Sequence, residues 1–436
     1  MAILHPFQGY RFNKEKVGDL NLVMAQPYDK ISEEMQKQYY AKSPFNVVRV
    51  TLNLEKREDP NTEYPEAGAT YHKWLSEGIL VQDPKPAIYA YYQEYEIEGE
   101  KKLQKGFIAL LDLKHASSGI RPHERTLAEP KMDRLRLMRR IESNAESIYM
   151  LYTDDKLVVN RLLDATASAT APDIEVTDEY GAIHRLWAIT EPKTLKNIQD
   201  AMAAEELFIA DGHHRFETSQ NFMKECQTRS WKAVNVESFD HRLVTCFNSA
   251  DQGLTILPTH RLIHAVPSFD AGSFLQSASS LFAVEPAASA QELWDTMKRD
   301  RNSHVFGFYA GKSVGFFLLR MKPEAETDPL MLARPEAFRQ LDVSILHTLL
   351  LENFLGINEA KLAAQENVDY ARDRNRGVCE VDEGKYQAAF FLNPTTVEQM
   401  QRIALLGGKM PQKSTDFYPK LLTGLVMMKM NIMKPV

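Results

Sequence analysis

The chain has 436 residues, 44% hydrophobic and 25% charged, enough for two or three domains with sizeable cores, which excludes a disordered or fibrous polymer. Its formal net charge of −7 argues against a dedicated nucleic-acid binder, which needs an extended basic surface to release counterions. Its three cysteines, Cys226, Cys246 and Cys379, are too few and too widely spaced for a disulfide framework and are expected to be buried thiols in a reducing cytoplasm.

The first ten residues contain His5, Pro6, Gln8 and Gly9, so no signal-peptide core is expected there. Alternating apolar residues predict half-buried strands over Asn46 to Leu54 and Ala87 to Glu96, with a helix around Ala67 to Glu77. The charged, proline-bearing stretch Glu55 to Pro65 between them reads as a surface loop. Pro130 to Ser143 reads as an amphipathic helix with Met132, Leu135, Met138 and Ile141 on one face. Its other face carries Lys131, Arg134, Arg136, Arg139 and Arg140. Ala165 to Pro172 reads as a connection before a strand at Ile183 to Ile189, and the helix Lys193 to Glu206 leads to a short apolar run, Leu207 to Ala210.

Beyond Asp251, a hairpin-type turn precedes Thr255 to Leu257, and a hairpin is predicted from Val305 to Leu319 around Gly311 and Lys312. Asp342 is expected to cap a helix that presents Val343, Leu346, Leu349, Leu350 and Phe354 and stops at Gly356. The tail Leu421 to Met433 is too short and too interrupted to span a bilayer, so no membrane partner is expected. The fold class is α/β, mixed α+β, with one domain over 1–250 and a second over 251–436.

The chemistry concentrates in Asp211, Gly212, His213, His214 and Arg215, between an apolar run and a helical segment from Phe216. Such a strand-to-helix corner gathers backbone N–H groups at the positive end of a helix dipole, where an anion is favoured. Gly212 permits a left-handed backbone, Asp211 can act as a base or metal-bridging carboxylate, and Arg215 offers a bidentate fork for phosphate. The two histidines titrate near neutrality and can hold phosphoryl oxygens or shuttle a proton. The alternative is an ordinary helix cap followed by solvated histidines.

A second cluster, His123, Glu124, Arg125 and Thr126 with Lys131, Asp133 and Arg134, offers a carboxylate, a hydroxyl and cations for one anionic substrate, or else is a solvated basic helix behind a polar loop. A third, from Gly407 to Thr415 followed by Tyr418, Pro419 and Lys420, places Gly408, Lys413 and Ser414 at P-loop spacing. Gln412 stands where the motif needs glycine and a helix precedes it, so a Walker fold is rejected. Lys413, Ser414 and Thr415 remain candidates for phosphate, the alternative being that Gly407 only ends a helix. Secondary candidates are the Tyr28 and Asp29 turn and the loop at Thr259, His260 and Arg261. Zinc ligand spacing is not found.

These motifs, with Pro27 to Asp29, Pro130, Leu135 and Met410 to Lys420, together resemble the bacterial family catalogued as domain of unknown function 1015. The Asp-Gly-x-x-Arg element is similar to that of the ParB and sulfiredoxin superfamily, which includes free serine kinases. The resemblance implies a ParB/sulfiredoxin-like phosphate-binding core, with Asp211, Gly212, His213 and Arg215 on the nucleotide phosphates and Glu124 as the carboxylate acting with Asp211. It implies Mg²⁺, held by Asp211 and Glu124, and ATP or ADP as cofactors.

The expected function is a phosphotransferase acting on a small hydroxylated metabolite, with free L-serine the best match. Asp211 or Glu124 would take the hydroxyl proton, and Arg215 with His213 and His214 would hold phosphoryl oxygens. The phosphates would meet Gly212, Arg215, His123, Thr126, Lys131, Arg134, Lys413, Ser414, Thr415 and Lys420. Two alternatives use the same pocket: a phosphatase or nucleotidase, with water as acceptor, and a noncatalytic nucleotide-binding module of ParB type. The sequence leaves the oligomeric state open.

Overall fold

Glu100–Asp112 is the longest strand, and every residue from Gly106 onward in it is buried, so it can only lie inside a sheet covered on both faces. In the computed structural model, which describes residues 2–116, 119–411 and 413–435, it is central to a nine-stranded mixed sheet. From one edge the order is Ile120–Arg121, Leu207–Asp211, Ile148–Tyr152, His241–Asn248, Glu100–Asp112, Ile88–Ile97, Ile183–Ile189 and Ile174–Thr177, with Leu4–His5 also paired to Glu100–Asp112.

One face of this sheet presents Phe107, Ala109, Leu111, Val244 and Cys246, packed with Val159 and Leu163 from the helix Val158–Ala169 and Leu195 and Ile198 from Pro192–Met202. The alternate positions carry Tyr91, Gln104, Tyr149 and Thr245, all buried. Two-residue periodicity therefore sorts an apolar face from an aromatic, hydrogen-bonding one. Buried polar groups must be satisfied, and the C-terminal tail contributes to that: Gln93 donates to the Lys420 carbonyl at 2.9 Å.

The chain divides into two units, the first comprising Met1–Pro122, Thr126–Thr255 and Pro419–Val436 and the second His123–Arg125 and Ile256–Tyr418. A single cut near residue 250 thus misses the return of the tail to the first unit. The second unit has its own six-stranded antiparallel sheet, ordered Phe282–Ala287, Phe316–Met321, Val305–Tyr309, Ala388–Phe391, His260–Ile263 and Val368–Ala371. Leu293, Trp294 and Met297 of Ala290–Arg299, with Val381 of Arg374–Asp382, cover one face. On the other face Phe308 and Phe390 meet Phe274 of Ala271–Ala278.

Several local expectations give way to tertiary contacts. Val48–Thr51 is a helical turn rather than part of a strand. The Asn46 side chain accepts from Val48 N–H and donates to the Leu22 and Met24 carbonyls, bending the chain where alternation suggested extension. The helix Val158–Ala169 runs through Ala165, where a connection was expected. Glu55 is buried, its carboxylate accepting from the Glu66 and Ala67 N–H groups at the start of the helix Pro65–Ser76, so its stretch is not all surface loop. Thr255–Leu257 pairs with Asp416–Tyr418, not with the strand before it.

Asp342 does not cap its helix: its carboxylate lies 2.7 Å from His304 Nδ1, and the following residues Leu346–Asn353 wind as a π-helix. Cys226 and Cys246 are buried and Cys379 is exposed. No described helix is long and apolar enough to cross a membrane.

Candidate functional site

In the first unit the strand Leu207–Asp211 ends on Asp211, Gly212 turns with φ 96° and ψ 27°, and His213 begins a helix that runs to Thr228. The corner therefore lies one turn earlier than a helix starting at Phe216. A positive φ favours glycine at this position. A Cβ on Gly212 would also lie 3.1 Å from the Arg215 guanidinium, so glycine lets that side chain fold back over the turn. Gly212 brings no capping side chain to the helix.

Asp211 sits between two cations, with Arg215 Nη2 2.7 Å from its Oδ2 and Lys420 Nζ 3.1 Å from its Oδ1. Arg215 and Lys420 are 6% and 4% exposed at the side chain, whereas Asp211 keeps 21%, so the carboxylate is the group that meets solvent. Burial alone would raise the Asp211 pKa, but Lys420, Arg215 and Lys30 outweigh it and hold the carboxyl far below the usual range. Burial likewise opposes charge on Arg215, yet Glu146, Asp211 and Asp29 keep it firmly protonated.

Arg215 also donates to the Ser147 carbonyl, which fixes its plane. Beside it, Arg242 is 2% exposed and reaches Asn144 and the Glu146 carbonyl, while its buried Nε has no hydrogen-bond partner. Burial first, and then Arg215, disfavours the Arg242 charge. Arg134, Arg215 and Arg242 line one small cavity of about 30 Å³ together with Glu146 and Thr218. Four cations, Lys30, Arg215, Arg242 and Lys420, thus act in the neighbourhood of three carboxylates, Asp29, Glu146 and Asp211. Arg215, Arg242 and Lys420 are buried and Lys30 is half-buried, an excess of cation suited to an anionic ligand.

Tyr28 and Asp29 belong to this neighbourhood. Tyr28 lies in a 3₁₀ turn, its N–H donates to Glu146 at 3.0 Å, and the Arg134 guanidinium stacks 4.1 Å from its ring centre. Burial raises the Tyr28 phenol above its ordinary value. Arg134 is not on a solvated helix face. It is 4% exposed and donates to Asp133, the Thr51 carbonyl and Tyr64, so its donors are engaged within the fold. Its helix spans Ala128–Ile141, with Pro130 at the third position rather than the first.

Thr126 and Lys131 both reach Glu217 Oε2, at 2.7 and 2.8 Å, which joins the helix Ala128–Ile141 to the first turns of His213–Thr228. His214 Nε2 lies 2.9 Å from the Leu127 N–H and must accept from it, which places the ring proton of a neutral His214 on Nδ1. His213 is 4% exposed.

The remaining candidates fall in the second unit. His123 Nε2 lies 3.1 Å from Thr415 Oγ1, the His123 carbonyl accepts from Met410 N–H at 2.6 Å, and Glu124 bridges to Met410. Ser414 donates to the Pro411 carbonyl at 2.6 Å, so that hydroxyl serves the loop itself. Lys413 is exposed and has φ 56°, and its neighbour Gln412 lies outside the described residues. His260 and Arg261 are not on a surface loop: they open a strand, at 3% and 1% exposure. Arg261 donates to His347 at 3.1 Å, and burial with Arg261 and Arg374 pushes His260 down to about 3.

Lys30, Glu146, Glu217 and Arg242 were not singled out from the sequence. Arg242 carried a signal, being a charged residue that opens the mostly apolar run Leu243 to Phe247. Lys30 adjoins the Tyr28 and Asp29 turn, but Glu146 and Glu217 acquire meaning only through their partners.

Among solved structures, the chain is similar to a conserved hypothetical protein from Pyrococcus furiosus, with TM-score 0.34 and 11% identity over 75% of this chain and 94% of that one. It is similar to free serine kinase in complex with AMP, with TM-score 0.36 and 9% identity over 75% and 90%. It is also similar to SbnI with a C-terminal truncation from Staphylococcus aureus, with TM-score 0.34 and 10% identity over 72% and 85%. No curated protein sequence matches the chain. The family model described as protein of unknown function (DUF1015) matches residues 4–344, which take in Tyr28, Arg134 and the whole Asp211 to Arg215 corner, and the chain belongs to that family.

Proposed function

We propose that the protein is a phosphotransferase that uses a nucleotide, ATP or ADP, to phosphorylate a small hydroxylated metabolite, with free L-serine as the first substrate to test. The observation that supports this most directly is Asp211 held between Arg215 and Lys420 at the start of a helix. Phosphoryl transfer needs positioning and charge neutralisation more than covalent chemistry, and this corner supplies both. Helix N–H groups, Arg215, Lys420 and Lys30 receive phosphoryl oxygens.

The depressed pKa of Asp211 makes it a weak base while both cations are paired to it. Phosphate oxygens compete for those cations, so nucleotide binding frees the carboxylate to accept the substrate hydroxyl proton. Base strength thereby arrives with the nucleotide. Lys131 is paired to Glu217 and Arg134 is internally engaged, which assigns them to positioning rather than to direct phosphate contact.

Mg²⁺ is the expected counterion of the nucleotide. Asp211 would be the protein carboxylate facing that ion, with the nucleotide phosphates as its other ligands. Such an ion would neutralise phosphate charge.

The test is phosphorus NMR of the purified protein with Mg²⁺ and ATP or ADP, with and without serine. Phosphoserine is expected. Free phosphate formed without serine would replace this reading with hydrolysis, and intact nucleotide that binds but does not react would replace it with a noncatalytic module.

A further inference from the structure

A different cluster in the first unit gathers metal-ligand chemistry. His5 stands opposite Leu110, and His241 stands opposite Asp112, on the strand Glu100–Asp112. Cross-strand partners share a face and alternate residues of one strand do too, so His5, Asp112 and His241 project from three strands to one side. One donor atom from each lies within 4.8 Å of the other two. Asp112 and His241 are buried and His5 is half-buried.

The surroundings are arranged as for a metal ligand. Asp240 Oδ1 lies 2.8 Å from His241 Nδ1. A carboxylate can only accept, so Nδ1 carries the proton and Nε2 keeps its lone pair, the orientation that outer-shell carboxylates impose on metal-binding histidines. Lys114 Nζ steadies Asp240 from its other oxygen at 3.0 Å. Asp112 accepts from the Lys114 N–H at 2.7 Å and faces His115 Nδ1 at 2.9 Å, which fixes its rotamer while each oxygen retains a lone pair. With the histidines neutral, two carboxylates against one ammonium leave the cluster at one net negative charge.

A network that served packing alone would account for each of these pairs. It would not require donors from three strands to converge, with the buried imidazole of His241 turned by an aspartate. We propose that His5, Asp112 and His241 bind one divalent transition-metal ion of the zinc type, with Asp240 as a positioning residue and water or His115 completing the coordination. Two imidazoles and a carboxylate favour such an ion over Mg²⁺, so this site is chemically separate from the phosphate corner and does not depend on its assignment. Tetrahedral bonds of about 2.0–2.1 Å put ligand atoms about 3.3 Å apart, a separation that falls inside the 4.8 Å within which these three donors lie. The ion would staple the two-residue strand Leu4–His5 to the sheet.

The test uses the full chain stripped of metal with a chelator, then titrated with ZnCl₂ by calorimetry and with CoCl₂ by visible absorption. One equivalent of Zn²⁺ is expected, with ligand-field bands for Co²⁺ and a rise in Tm of about 3 °C or more on saturation. His241→Ala and His5→Gln should each weaken binding at least about tenfold, and Asp240→Asn by about 10–100-fold with stoichiometry kept. His72→Ala, at an exposed histidine elsewhere in this unit, should bind as the parent does. No saturable binding by the parent, or unchanged binding by His5→Gln, overturns the proposal. His5→Gln alters a half-buried side chain and carries the test even if His241→Ala fails to fold.

Discussion

The corner at Asp211 to Arg215 and the loop at Gly407 to Thr415 are both phosphate candidates in sequence, and their structures differ in what their polar groups already do. At the corner, a carboxylate and two cations are pinned to each other by long-range contacts, with Lys420 reaching Asp211 across 209 residues of chain. In the loop, Ser414 bonds to the Pro411 carbonyl, Thr415 faces His123, and Lys413 is exposed. A paired, buried charge set has been arranged at a desolvation cost, whereas an exposed lysine on a self-satisfied loop has not. Motif resemblance counts for less than where the charges are held.

The largest expected effect comes from Asp211→Ala. Removing the carboxylate leaves buried Arg215 and Lys420 without their partner, which should cost about 3–5 kcal/mol of stability by urea unfolding. Asp211→Asn keeps an acceptor and should lose phosphotransfer while retaining more of the fold. If Asp211→Ala left the unfolding midpoint unchanged, the contrast between the two regions would fail.

Arg215→Ala should weaken nucleotide affinity about 10–100-fold by calorimetry, since hydrogen bonds to charged groups contribute about 1.5–3 kcal/mol. Gly212→Ala should cost about 1–2 kcal/mol for the left-handed backbone, and should also lower affinity because the new methyl group displaces Arg215. At the other end of the scale, Lys413→Ala should change stability by no more than about 0.5 kcal/mol and affinity by less than about threefold. A loss of binding as large as that of Arg215→Ala would restore the loop as a primary phosphate site.

Acid sharpens the same comparison. In the second unit, burial holds His347 well below its ordinary value and His260 down to about 3. The unfolded chain binds protons at these histidines first, so their stabilising contribution is present above about pH 6.5 and is lost progressively as pH falls toward the folded values. At the corner, the depressed Asp211 contributes above about pH 4 and loses that contribution only in stronger acid. Urea unfolding between about pH 7 and 4.5 should therefore follow the histidines, and His347→Gln should flatten the slope in that range. An unaltered slope in His347→Gln would remove His347 from that account.

Local periodicity made much of the fold legible. Ile183–Ile189 and the hairpin from Val305 onward follow from two-residue alternation, and Pro65–Ser76 from helical spacing. Val48–Thr51 misled because alternation over so few residues does not distinguish a strand from a turn held by Asn46. Arg134 misled because spacing on a helix says which residues share a face, and only packing says whether that face meets water.

The sequence by itself determined that Asp211 to Arg215 form a strand-to-helix corner, because glycine and the apolar run before it constrain the backbone locally. Tertiary structure alone decided which charges meet there. Lys30, Glu146, Arg242 and Lys420 are remote in sequence from Asp211, and Coulombic coupling depends on distance in space and on burial, neither of which is written in the spacing of residues.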